Sequence, residues 1–149
     1  MTATATALNA GATYFFALKS EDEALLSSGL SNQATATTTI PQLSWSMKKI
    51  YWASWDDYQN RQLSIDYDLG NTGTATAISP TIAASICNPT SVYATTPLPL
   101  ALADLNPVAL IPMTLKYFVP TSVGSFTTTT YAHCQDDVGR TYWFPGPLP

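Results

Sequence analysis

The chain has 149 residues, room for one ordinary domain or two very small ones and too little for a large multidomain enzyme. Only 11% of its residues are charged, against a usual share of about 25%. A net charge of −4 with six basic residues leaves no cationic patch to neutralise several phosphates, so nucleic acid and anionic membrane surfaces are poor partners. Hydrophobic residues at 46% suffice for a core, while no apolar run approaches the roughly 18 residues of a membrane span and Met1-Thr2-Ala3-Thr4 lacks the basic end of a signal peptide.

In chain order, Leu8, Gly11 and Tyr14 have the L-x-x-G-x-x-Y spacing of a tyrosine corner, in which the Tyr hydroxyl reaches back to the backbone at the entry to a strand. An alternating aromatic strand, an acidic turn at Glu21-Asp22-Glu23, the segment Ser28-Gly29-Leu30-Ser31-Asn32 and a Thr-rich strand to Thr39 follow. The charged stretch Lys19 to Leu26 has a helical look but is short and runs into Ser27-Ser28-Gly29. In this order and spacing, these elements resemble the last three strands of a fibronectin type III domain. The resemblance covers about a quarter of the chain and implies a partial domain over residues 1–39, with no room upstream for the family's earlier strands. Half a sandwich leaves one sheet face without its partner, so the segment is not expected to be stable alone. The reading preferred here is that Met1 lies inside a longer gene. The alternative is that these strands complete another sheet, in the same chain or a neighbouring one, through exposed edge hydrogen bonds.

Residues 40–42 sit where an interdomain linker would lie. Beyond them Leu43, Trp45 and Met47 alternate on one face with Tyr51 and Trp55, and Ile50 and Trp52 fall on the other. Gln62 to Leu69 sets Leu63, Ile65, Tyr67 and Leu69 against Gln62, Ser64, Asp66 and Asp68, the pattern of a half-buried antiparallel strand. Gly70-Asn71-Thr72-Gly73 predicts a turn, and Thr81 to Cys87 another strand. Ile111, Met113, Leu115, Tyr117 and Val119 repeat the alternation, with Pro112 pointing to an edge position or a bulge. Phe126, Thr128, Thr130, Ala132 and Cys134 share one face of a late strand, and Gln135 to Gly139 turns the chain into Arg140 to Phe144. The tail, residues 145–149, is Pro-rich and is not expected to extend any ladder. Eleven prolines and dense β-branching argue against helix, and the fold class expected is all-β, an immunoglobulin-like antiparallel β-sandwich preceded by the partial fibronectin type III sheet.

The order from Leu43 onward is an aromatic strand, an alternating strand, Asn71-Thr72-Gly73, a Pro-rich stretch with Leu98, Leu100, Leu102 and Leu105, then Leu115 to Pro120. It is similar to the Ig-like modules of bacterial surface and secreted proteins of the cell-adhesion-related type, with the match spanning residues 43–144. That resemblance implies an extracellular or cell-surface home and a noncatalytic spacer or adhesion role in a larger protein. The implied partners are neighbouring domains, a cell-surface protein or a polysaccharide. It supplies no catalytic residue and no cofactor. An even cysteine count in a module of this kind implies a disulfide between Cys87 and Cys134, about 4 kcal/mol of loop closure in the entropy model. Strict alternation sends Cys87 opposite Ile82, Ala84 and Ile86, so such a bridge needs a bulge or a pairing at the sheet margin.

Residue chemistry points the same way. His133 is the only histidine and has no nucleophile context beside it, and with Cys87 and Cys134 it falls short of a zinc ligand set. Asp56-Asp57 and Asp136-Asp137 are read as turn residues bonding their own backbone, and they lack the spacing of a calcium loop. Neither metal nor catalysis is expected. The candidate glycan-binding residues are Trp52, Trp55 and Tyr58, in an aromatic window with rings on both faces, so that at least one is exposed. A carbohydrate-binding module attached to an extracellular hydrolase is therefore the alternative to the spacer.

Overall fold

The computed structural model describes residues 4–145, which fall into two compact units dividing between Ile40 and Pro41. In the first unit, β1 (Thr13–Phe16) pairs antiparallel with β2 (Ala34–Thr37), and the segment between them closes through a single bridge from Glu21 to Ser27. Two strands are described here where the resemblance implies three. Asp22 organises the acidic turn, its Oδ1 accepting from the N–H groups of Ala24 and Leu26 at 2.9 Å each, so residues 19–26 form no helix.

The second unit is an all-β antiparallel sandwich. One sheet orders β3 (Leu43–Tyr51), β4 (Gln62–Asn71), β8 (Leu110–Phe118) and β6 (Tyr93–Ala94). The other orders β10 (Thr141–Pro145), β9 (Thr127–Gln135), β5 (Ile78–Asn88) and β7 (Leu100–Ala101). Apart from the added β7, this is the A-B-E-D over C-F-G arrangement of immunoglobulin-like sandwiches. The inner faces meet in two apolar clusters, one around Ile65, Tyr67, Ile82, Leu115 and Tyr117, the other around Leu43, Leu69, Leu105, Ala132 and Cys134. A hydroxyl network crosses the first cluster: Ser85 Oγ lies 3.0 Å from the Tyr117 hydroxyl and 2.7 Å from Thr128 Oγ1. These three hydroxyls thus satisfy one another inside the core, Thr128 within the sheet of Ser85 and Tyr117 from the facing sheet.

Strands β4, β5, β8 and β9 fall where the alternation places them. Pro112 is tolerated because β6 pairs only with Tyr117 and Phe118, which leaves the start of β8 locally at an edge. Four readings are corrected. The turn expected from Gly70 starts later, since Gly70 and Asn71 still belong to β4. Pro145 does join a ladder, opposite Tyr131, as the last residue of an edge strand where a missing N–H is affordable. Pro41 and Gln42 are part of the sandwich rather than linker: Pro41 is buried, and Gln42 bonds Asn71 and Thr72. The aromatic faces change because the ladder of β3 shifts between Met47 and Lys49. That bulge turns Tyr51 to the outer face, opposite Ser64, and away from Leu43 and Trp45.

The disulfide is not formed: Cys87 and Cys134 are both buried and free. They lie on adjacent strands of one sheet, where the register sets Cys87 opposite Thr128, six residues from Cys134, a separation of about 20 Å along the strand. The bulge between Ile82 and Ala84 does bring Cys87 inward, but into the first apolar cluster, while Cys134 sits in the second. Burial pushes both thiols up, Cys134 to about 11, so they behave as small apolar side chains.

Candidate functional site

The three aromatic candidates come together at one end of β4. A single helical turn, α1 (Trp55–Gln59), connects β3 to β4, and Asp56 and Asp57 lie in it rather than in a plain turn. Ser54 makes the helix start there, its Oγ accepting the Asp57 N–H at 3.0 Å, and the two acidic residues suit the positive end of the turn. Residues three apart on such a turn are neighbours, and Trp55 and Tyr58 stack with centroids 5.2 Å apart and planes 27° from parallel. Tyr58 in turn meets Trp52 edge to face at 5.5 Å. Trp52 packs against the first apolar cluster, so the group is anchored in the core at one side, while Trp55 is 69% exposed at the other.

Sequence reasoning missed Arg61. Its guanidinium carbon lies 4.9 Å from the Trp52 ring and 5.5 Å from the Tyr58 ring, a cation–π contact to both. Nε donates to the Val119 carbonyl at 2.9 Å, and the Val119 N–H returns a bond to the Arg61 carbonyl. Arg61 therefore ties the aromatic cluster to the end of β8. Its spacing three residues after Tyr58 was the available signal, but its left-handed φ of 59° ends the turn and re-aims the side chain in a way spacing does not show. Asp57 adds an ion pair with Lys116 at 3.5 Å. The result is an aromatic cluster, tied to the core through Trp52, that carries one largely exposed indole on which an apolar ring face could stack.

The remaining candidates are dispersed. Tyr14 accepts the Asn9 N–H at 2.6 Å through its hydroxyl, and Gly11 has φ +67° with Ile40 close against it, while Leu8 is half-buried. His133 lies on the outer face of β9 against Trp143, with centroids 4.6 Å apart, and its Nδ1 has no hydrogen-bond partner. Asp136 folds back on its own turn, Oδ1 accepting from Val138 and Arg140 and Oδ2 from the Tyr142 hydroxyl. Asp66 accepts from Tyr51 and Thr114 on the outer face of β4, and burial together with Asp66 holds the Tyr51 phenol above its ordinary value. Among the described residues no three His, Cys, Asp or Glu side chains gather as a metal site, and no helix is long and apolar enough to cross a membrane. No protein-family model matches the chain, and no curated protein is significantly similar to it.

Proposed function

We propose that the chain is a noncatalytic module of a larger secreted or cell-surface protein, serving as a spacer and adhesion unit beside neighbouring domains. The observation that carries this reading is the succession along the chain of two compact β units, a small two-stranded one and then an immunoglobulin-like sandwich. The low charge and the resemblance to extracellular modules support the location; the free cysteines lend it nothing. The second reading, a carbohydrate-binding module, is favoured by one specific feature, the exposed Trp55 ring stacked on Tyr58, which Arg61 contacts in turn. Incubating the full chain with polysaccharide and ester substrates and probing a glycan array separates the possibilities. The spacer reading expects no turnover and at most weak glycan binding. Binding lost in a folded Trp55→Ala variant would promote the carbohydrate reading, and turnover lost in His133→Ala would replace both with an enzyme.

A further inference from the structure

A second stacked aromatic pair lies on the strand that Arg61 ties to the Trp55 cluster. Alternation along β8 buries Leu115 and Tyr117 in the core and turns Lys116 and Phe118 to the outer face of the sheet. β6 pairs with the end of β8 and sets Tyr93 opposite Phe118. Their rings stack with centroids 5.3 Å apart and planes 27° from parallel. Tyr93 is 52% exposed and Phe118 half-buried, so this pair has the build of Trp55 on Tyr58, a more exposed ring laid on a less exposed one. Two polar links connect the pairs. The ion pair of Asp57 with Lys116 holds α1 to the outer face of β8, two residues before Phe118. The Arg61 guanidinium meets the Tyr58 ring, while its Nε donates to the carbonyl of Val119, the residue after Phe118.

We propose, building on the carbohydrate reading of Trp55, that the two pairs are subsites of one surface for a neutral, β-linked polysaccharide chain. Trp55 on Tyr58 takes one sugar, and Tyr93 on Phe118 takes another further along the chain. A pyranose has an apolar face of C–H bonds, which stacks on an aromatic ring, and a rim of hydroxyls, which needs donors and acceptors. The guanidinium of Arg61 and the ion pair of Asp57 with Lys116 supply both kinds of group between the stacking rings. Equatorial β links extend a sugar chain as a ribbon with its ring faces open to such platforms. A proline-rich peptide instead docks in a groove between aromatic rings, whereas within each pair here the rings lie nearly face to face and leave no slot. Charge selects a neutral chain over an acidic one, because Asp56 and Asp57 follow Trp55 directly and the protein carries a net charge of −4.

Calorimetric titration of the full chain with disaccharides and hexasaccharides of β-linked glucose, xylose and N-acetylglucosamine tests it. In at least one series the hexasaccharide binds about tenfold or more tightly than the disaccharide. Tyr93→Ala, at an exposed position, keeps the fold and removes that gain with chain length while leaving disaccharide affinity unchanged, whereas Trp55→Ala weakens both ligands. Binding that needs Trp55 but is equal for the two lengths and unmoved by Tyr93→Ala overturns the second subsite and leaves the carbohydrate reading standing. A chain that binds none of these sugars overturns both. Tighter binding of a uronic acid hexasaccharide, or of a proline-rich peptide whose affinity falls in Tyr93→Ala, overturns the assignment of a neutral glycan.

Discussion

Two short polar side chains, Asp136 and Asn71, organise more backbone than their size suggests. Asn71 is buried, donates through Nδ2 to the carbonyls of Ala75 and Leu105, and accepts the N–H groups of Gln42 and Gly73 on Oδ1. It therefore locks the turn that sequence alone assigned to it, but its reach to Leu105 depends on tertiary structure that spacing does not show. Asp136 was likewise legible as a turn residue, though the bond from Tyr142 was not. Burial works against its charge, yet the N–H groups of Arg140 and Val138 and the Tyr142 hydroxyl hold its carboxyl below the ordinary 3.8. As pH falls the unfolded chain takes up this proton first, so the group's contribution to stability is complete well above 3.8 and is lost as pH falls through the folded value. Urea unfolding of the chain and of Asp136→Asn, between about pH 2 and pH 6, should show a shallower acid-side loss in the variant. Equal slopes would mean that Asp136 is no more stabilised in the folded state than in the unfolded one.

At the scale of elements, the long strands were legible because each buries one face, and the period-two pattern has nothing to compete with it in β4 or β9. Side-chain direction beyond a bulge was not. A single extra residue between Met47 and Lys49 reverses Tyr51, and another between Ile82 and Ala84 reverses Cys87, so parity counted from Leu43 gives the wrong face at Tyr51 and parity counted from Ile82 gives the wrong face at Cys87. The helix escaped for a different reason. One turn is too short for a 3.6-residue period, and only its cap marks it: Ser54 followed three residues later by Asp57. That cap is testable. Ser54→Ala leaves the Asp57 N–H without its partner and should cost about 1 kcal/mol in denaturant unfolding. The near-UV circular dichroism of the Trp55–Tyr58 stack should weaken with it, whereas an unchanged signal would show that Arg61 and Trp52 hold the cluster without the helix.

For the molecule as a whole, the sandwich could be read from its strands, but which strands become edges could not, since sheet order depends on pairings far apart in sequence. The tendency of the two units to stand alone follows from where the apolar surface lies. Every buried apolar side chain described, from Leu43 to Cys134, belongs to the second unit, where two sheets close over two clusters. The first unit pairs two four-residue strands and leaves Phe15, Leu18, Leu25, Leu26 and Leu30 exposed. A two-stranded hairpin is marginal in water, and hydrogen bonds such as Asn9 to Tyr14 do not offset the entropy of ordering it. Expressed separately, Pro41–Pro149 should unfold cooperatively within about 5 °C of the full chain, whereas Met1–Ile40 should show no cooperative transition. A sharp melt from the isolated first unit would refute this division of stability. A second unit that loses its transition when the first is removed would also refute it, and would mean that the exposed apolar residues of the first unit hold the sandwich together rather than await another partner.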